Sequence, residues 1–105
     1  KEGAAIKNEQ RMADLDNIRS ALLIYSAANV DSNSDKIYAF PTKEQYPNVL
    51  VEKKYLTSVP KDPNGSNYDY QVTPTYESFT LKAIFQSPPK GVTGYMCNEQ
   101  ECKNY

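Results

Sequence analysis

The residues that could carry out catalysis are few in this chain. Its 105 residues include no histidine, so the side chain that most often serves as a general base near neutral pH is missing. A serine, cysteine or lysine nucleophile would then need lysine or a carboxylate as its activating base, and no spacing in the sequence pairs such residues. The sequence therefore predicts no catalytic residues and a protein that is not an enzyme.

An oxygen-rich segment between Asp62 and Asp69 is the candidate for a metal site. Asp62, Asn64 and Asp69 offer carboxylate and amide oxygens, and Ca²⁺ is bound by about six to eight such oxygens. No glutamate is placed to close the site, and turn formation by Asp and Asn explains the same residues. We expect a turn and no cofactor, with calcium as the weaker alternative.

Cys97 and Cys102 lie near the end of the sequence with four residues between them. A close, even pair favours a disulfide, and therefore an exported protein. Two free thiols in a cytosolic protein are the alternative. A zinc site is disfavoured, because two cysteines without histidine cannot supply its four ligands.

The charge balance argues against nucleic acid or an anionic membrane surface as a partner. Lys and Arg total 12 against 13 for Asp and Glu, which gives no general attraction to polyanions. Nine tyrosines could stack on bases, but the stretch around Tyr70 carries Asp69 and Glu77, whereas a single-strand platform needs interleaved Lys or Arg. We expect the tyrosines to pack in a sheet and DNA not to be a partner.

One long helix over residues 1–30 must position the rest of the chain. From residue 12 onward apolar residues recur three or four positions apart, which indicates a single helical stripe facing a sheet. At about 1.5 Å per residue the helix spans roughly 40 Å, whereas a chain of this length has a radius of gyration of about 13 Å. The helix should therefore project beyond its own domain, as a subunit stacked into a fibre requires.

The helix also carries apolar residues outside that stripe. Leu23 and Ala27 lie off it, and residues 1–11 contain too little apolar surface to bury themselves. Because only neighbouring molecules would cover these side chains, we interpret them as filament contacts. The predicted contacts are Ala4, Ala5, Ile6, Leu23 and Ala27.

Four charged residues in the middle of the helix allow two interpretations. Arg11 with Asp14, and Asp16 with Arg19, have the spacing of ion pairs along a solvated helix face. Alternatively, the same charges meet partners on neighbouring subunits and set the stacking register.

Beyond the helix the sequence predicts a loop, a short helix and an antiparallel meander. A polar stretch at residues 31–35 ends the first helix. Thr42 and Gln45 fit a capping box, but a helix starting there would contain Pro47 at a cost of about 3 kcal/mol. We therefore place the short helix at residues 47–54. Alternating apolar residues predict strands at 68–72 and 79–85, and a third follows at 92–97.

The predicted fold is α+β, with the long N-terminal helix packed on a three-stranded antiparallel sheet. The predicted helix-sheet core is Leu15, Ile18, Leu22, Tyr25, Phe79 and Leu81. Residues 1–105 form one domain: a helical spine at 1–30, a connecting loop with the short helix at 31–66, the sheet at 67–97 and a disulfide-closed tail at 97–105.

Three segments resemble, in this order, the type IV pilin and type II secretion pseudopilin superfamily: residues 13–22, 55–63 and 68–70. The resemblance implies a structural subunit that self-associates into a helical filament with other pilins or minor pilins, through inner-membrane assembly machinery. It also implies a hydrophobic N-terminal half-helix, absent from these residues, that anchors the subunit in the inner membrane before assembly. The implied final location is an extracellular filament on the cell surface.

The resemblance divides between two kinds of subunit. The pair Cys97 and Cys102 is similar to the C-terminal disulfide of type IV pilins, whereas residues 62–65 (Asp-Pro-Asn-Gly) resemble a turn of major pseudopilins. Those pseudopilins bind calcium through acidic residues near the C-terminus, where this chain has only Glu99 and Glu101. We expect a type IV pilin for motility, adhesion or DNA uptake, with a type II secretion pseudopilin as the alternative. A small module that binds a surface ligand, calcium or DNA is the alternative of another class.

Overall fold

The structure, a computed structural model, describes residues 2–28 and 39–105. Its elements are α1 (Glu2–Ala28), α2 (Asn48–Glu52), β1 (Asp69–Val72), β2 (Phe79–Ile84), β3 (Gly94–Cys97) and β4 (Cys102–Asn104). The predicted α+β class is confirmed. The predicted helix end at 29–30 and the polar stretch at 31–35 lie outside the described residues. Neither described helix is long and apolar enough to span a bilayer.

The strands form one antiparallel sheet in sequence order. Tyr70 of β1 is opposite Leu81 of β2, which is opposite Cys97 of β3. β3 begins at Gly94, where a Cβ atom would collide with the carbonyl oxygen of Ala83. Glycine therefore allows the third strand to approach β2 at this point.

The sheet has four strands, and the predicted number of three is wrong. The additional strand, β4, lies in the tail and has no apolar alternation that would have indicated it. Cys102 is directly opposite Cys97 in the register. Beyond it, the backbone N–H of Tyr105 donates to the Gly94 carbonyl at 3.0 Å. Pairing with β3, rather than local propensity, creates this edge strand.

The core lies between α1 and the inner face of the sheet. Residues of the helical stripe share one side of α1 because they are three or four positions apart, and burying each large apolar side chain contributes about 1.5–3 kcal/mol. The predicted core residues that the structure buries are Leu15, Ile18, Leu22, Tyr25, Phe79 and Leu81. This packing fixes the helix to the sheet along the C-terminal two thirds of α1.

α2 is shorter than predicted, because it begins after Pro47 and ends at Glu52. The capping-box hydrogen bonds do form: the Thr42 N–H donates to Gln45 Oε1 at 3.0 Å, and the Gln45 N–H donates to Thr42 Oγ1 at 3.1 Å. They close a turn rather than start a helix, since Pro47 follows before the helix begins. The predicted end at residue 54 is wrong, because Lys54 has a positive φ of 65°.

The first part of α1 projects less than the sequence predicts. Asn8 exchanges two hydrogen bonds with the backbone of Gln86, at 2.9 and 3.0 Å, and Arg11 is only 4% exposed. The expectation that residues 1–11 cannot be buried is therefore wrong for Arg11. A projecting segment of residues 3–7 is left, about 8 Å long at the helical rise. The described molecule is elongated, with principal extents of 52 × 27 × 18 Å.

Candidate assembly interface

The four charged residues in the middle of α1 all contact the head, which we define as residues 39–105. They are Arg11, Asp14, Asp16 and Arg19. Neither interpretation made from the sequence describes these contacts, because the partners are 51 to 80 residues away in the chain. The charges on this side of α1 attach the helix to its own head.

Arg11 and Asp62 form a buried, two-pronged ion pair. Arg11 Nε donates to Asp62 Oδ2 at 3.0 Å, and Nη2 donates to Oδ1 at 2.9 Å. Burial alone would raise the pKa of Asp62, but the hydrogen bonds from Arg11 and from the Asn64 backbone outweigh it and hold that pKa below its ordinary value. Asp62 is thus ionised and fully engaged at neutral pH.

The Asp-Pro-Asn-Gly segment forms the turn that the sequence predicts. Gly65 donates its N–H to the Asp62 carbonyl at 2.7 Å with a positive φ of 95°, a conformation that glycine adopts without steric cost. The turn therefore presents the Asp62 side chain to Arg11.

Asp62, Asn64 and Asp69, the residues considered for calcium, line one surface pocket together with Arg11. Asp62 uses both carboxylate oxygens for Arg11, Asn64 Oδ1 accepts hydrogen bonds from Ser66, and Asp69 Oδ1 accepts one from the Gln71 amide. Each oxygen named here already has a partner within the chain.

The acidic residues near the C-terminus also have partners within the chain. Both carboxylate oxygens of Glu99 accept hydrogen bonds from the Ser78 hydroxyl, at 2.9 and 3.0 Å, and Glu101 lies 3.5 Å from Lys103. Within the described residues, the group with metal-ligand spacing is Asp16 with Cys97 and Cys102. Its two sulfur atoms are joined in the disulfide, so it has no thiolate to offer.

Asp14 forms a second buried contact, beside the ion pair. Tyr68 donates its hydroxyl to Asp14 Oδ2 at 2.6 Å, and the Gln10 amide donates to Oδ1 at 2.7 Å. Burial, followed by the hydrogen bond to Asp14, raises the pKa of the Tyr68 hydroxyl. Tyr68 therefore stays protonated and keeps its donor directed at α1.

The disulfide-closed loop, residues 98–101, is held from two sides. Arg19 of α1 donates to the carbonyl of Asn98 at 2.7 Å and to that of Glu99 at 3.1 Å. Glu99 in turn accepts from Ser78 and, at 3.3 Å, from the backbone N–H of Phe79. The loop thereby ties α1 to the start of β2.

The predicted filament contacts differ in their exposure. Ala5, Ile6 and Ala27 are exposed, Ala4 is half-buried, and Leu23 is half-buried against the core. Sequence analysis missed Ile24, which is 50% exposed and is the largest exposed apolar side chain in the second half of α1. It lies directly beside the stripe residue Tyr25 in the sequence, so a contiguous apolar run concealed it.

Exposed residues form a ridge along the outer face of α1, which we call the outer ridge. Its members are Asn17, Ser20, Ile24 and Ala28, three or four positions apart. None of them carries a charge.

An apolar cavity of about 630 Å³ lies where α1 leaves the head. We call it the junction groove, lined chiefly by Ala4, Ala5, Met12, Phe85, Pro88 and Pro89. Its helical wall includes two of the predicted filament contacts.

A long helix fixed by its inner face to a four-stranded antiparallel sheet, with an exposed outer face, defines a pilin-like subunit. The sequence model of the family described as type II secretion system (T2SS), protein G, matches residues 2–98. The chain belongs to this family, which is one of pseudopilins. No curated protein and no solved structure matches the chain.

The family match changes the order of the two functional expectations. It supports a secretion pseudopilin, which the sequence analysis placed second, better than a type IV pilin. Members of this family are structural subunits rather than enzymes.

Proposed function

We propose that the protein is the structural subunit of a type II secretion pseudopilus, a periplasmic filament assembled from copies of this chain. The observation that carries the proposal is the division of α1 into two faces. The inner face is fixed to the head by apolar packing and by buried polar contacts such as Arg11 with Asp62. The outer face and residues 5–7 are exposed and have no partner element within the described residues.

Assembly would cover this surface by contact between unlike patches of identical subunits. Heterologous contacts whose rotation does not close generate a helical fibre rather than a ring or dimer. We also propose that the subunit is held in the inner membrane before assembly and assembles there with other pilin-like subunits. Family membership supports both of these further statements.

The test is fibre formation by the full-length subunit carrying Ala27→Glu or Ala5→Glu. Both positions are exposed, so the soluble domain should keep its melting temperature, while a buried unpaired carboxylate at a subunit contact should prevent assembly. Electron microscopy of labelled fibres measures the outcome.

The matched control is Thr75→Glu, an exposed position in the turn between β1 and β2. Fibres that persist in both helix variants, with unaltered secretion, would refute the proposal. They would instead favour a module whose helix is only a tether.

One feature favours the type IV pilin as a second candidate. Cys97 and Cys102 form a C-terminal disulfide, the feature by which the chain resembles type IV pilins. Deleting the gene and scoring secretion against twitching motility or surface adhesion separates the two candidates.

A further inference from the structure

The junction groove and the outer ridge are both uncharged surfaces in a chain of which 24% is charged. We propose that the junction groove of one subunit receives the outer ridge of a second copy, with Ile24 as the inserted side chain. This inference rests on the proposed filament function and names the surfaces that form its repeating contact.

The groove has the character of a helix-binding surface. Ala4 and Ala5 give it a low helical wall, and Phe85, Pro88 and Pro89 give it an apolar opposite wall. Small residues on one wall allow another helix to approach closely, and ridges of one helix pack between those of the next.

The ridge has the complementary shape. Ile24 is 50% exposed, and the ridge positions one turn before and after it are Ser20 and Ala28. One large apolar side chain therefore stands above a low surface. Burying the remaining exposed part of Ile24 in an apolar groove is favourable, because transfer of apolar area from water drives association.

Groove and ridge cannot meet within one subunit, because both belong to the same straight helix. Asn8 lines the groove, and Ile24 follows it by sixteen residues, which is about 24 Å along the helix axis. The contact therefore joins two parallel copies displaced by about that distance. The row as a whole keeps one free groove at one end and one free ridge at the other, so further copies can add to it.

One exposed charged residue beside the groove and one beside the ridge are of opposite sign. Lys90 follows Pro89 at the edge of the groove, and Asp16 precedes Asn17 at the foot of the ridge. Both are exposed, and Lys90 has no ion pair within the described part of the chain. Opposite charges at the rim favour this pairing over groove against groove or ridge against ridge.

The test is disulfide cross-linking of the full-length subunit in cells that assemble the filament. The variant carries Ile24→Cys and Pro89→Cys, both at exposed positions, and keeps the native disulfide. Mild oxidation should give a ladder of dimers, trimers and longer products, because every copy supplies both halves of the contact. Co-expressed single variants should stop at the dimer.

The matched control pairs Ile24→Cys with Thr75→Cys, which is equally accessible but lies at the opposite end of β2 from the groove. We expect this pair to give at least tenfold less cross-linked product. In parallel, Pro89→Glu should abolish fibres without changing the melting temperature of the soluble domain.

The outcomes separate this inference from the function on which it rests. The contact is overturned if the wild type forms fibres but the Ile24→Cys, Pro89→Cys variant gives no ladder, or if the control pair gives an equally strong ladder. Either result leaves the filament proposal intact. Cross-linking of Pro89→Cys to a different protein instead would assign the groove to another occupant and also overturn the contact. Absence of fibres from wild-type cells overturns both proposals.

Discussion

At the scale of single residues, Arg11 determines how the first half of α1 is held. Its guanidinium binds both oxygens of Asp62 and also donates to Asn8 Oδ1 at 2.7 Å. Asn8 in turn binds the backbone of Gln86. Arg11 therefore connects the turn at Asp62 with the segment after β2.

Replacing Arg11 by Ala should cost about 3–5 kcal/mol of unfolding free energy, because it leaves the buried Asp62 carboxylate without its counter-ion. The double variant Arg11→Met with Asp62→Asn should lose less, since no buried charge is left. Urea unfolding followed by circular dichroism measures both. Equal losses in the two variants would show that the ion pair itself, rather than the unpaired charge, carries the effect.

The unfolding free energy at alkaline pH should depend on the titration of the Tyr68 hydroxyl. Its pKa is raised in the folded protein by burial first and by Asp14 second, so the folded state keeps a proton that the unfolded state releases near pH 10. The contribution of Tyr68 to the unfolding free energy should be constant below that pH and fall as the pH rises above it. In Tyr68→Phe the alkaline decline, measured by urea unfolding from pH 8 to 11, should be shallower; an identical slope would contradict this assignment.

The buried apolar residues could be predicted from the sequence, whereas the polar contacts could not. Leu15, Ile18 and Leu22 follow a helical period that any short window reveals. Arg11 and Asp62 are 51 residues apart, and nothing in the local pattern of either residue indicates the other. Only the tertiary fold brings such partners together.

At the scale of elements, the tail acts as a connector between helix and sheet. The bond between Cys97 and Cys102 closes the loop that binds Arg19 of α1 and Ser78 before β2. The sequence predicts the bond but not β4, because a three-residue strand of Cys, Lys and Asn at an edge has no apolar alternation to detect. At Thr42 the opposite occurs: the sequence predicts the capping-box hydrogen bonds correctly, but they close a turn, because Pro47 excludes a helix there.

Replacing both Cys97 and Cys102 by Ala should lower the unfolding free energy by about 2 kcal/mol, the chain-entropy value for so small a loop. Loss of the Arg19 contacts would add to this. A reductant provides the control. It should lower the unfolding free energy of the wild type by a similar amount and leave that of the variant unchanged. A variant that still responds to reductant would show that the effect does not come from this bond.

At the scale of the whole molecule, the subunit consists of a rigid middle with two uncovered regions. The middle is the packed part of α1 with the sheet, and the uncovered regions are residues 3–7 and the outer ridge. Helix residues that lack tertiary contacts open locally more easily than residues packed in the core. The free subunit should therefore be least stable locally where the filament is proposed to cover it.

Amide hydrogen exchange should make this difference visible. In the monomer, amides of residues 3–7 should exchange faster than those around Leu15, Ile18 and Leu22, which should open only with global unfolding. In assembled fibres, residues 3–7 should slow by at least tenfold, because a neighbouring subunit then packs against them. Mass spectrometry of the same peptides in both states gives the comparison, with the turn at residues 73–78 as the internal reference. Unchanged exchange at residues 3–7 in fibres would mean that this segment stays in water after assembly, and the subunit contact would have to be sought on the sheet instead.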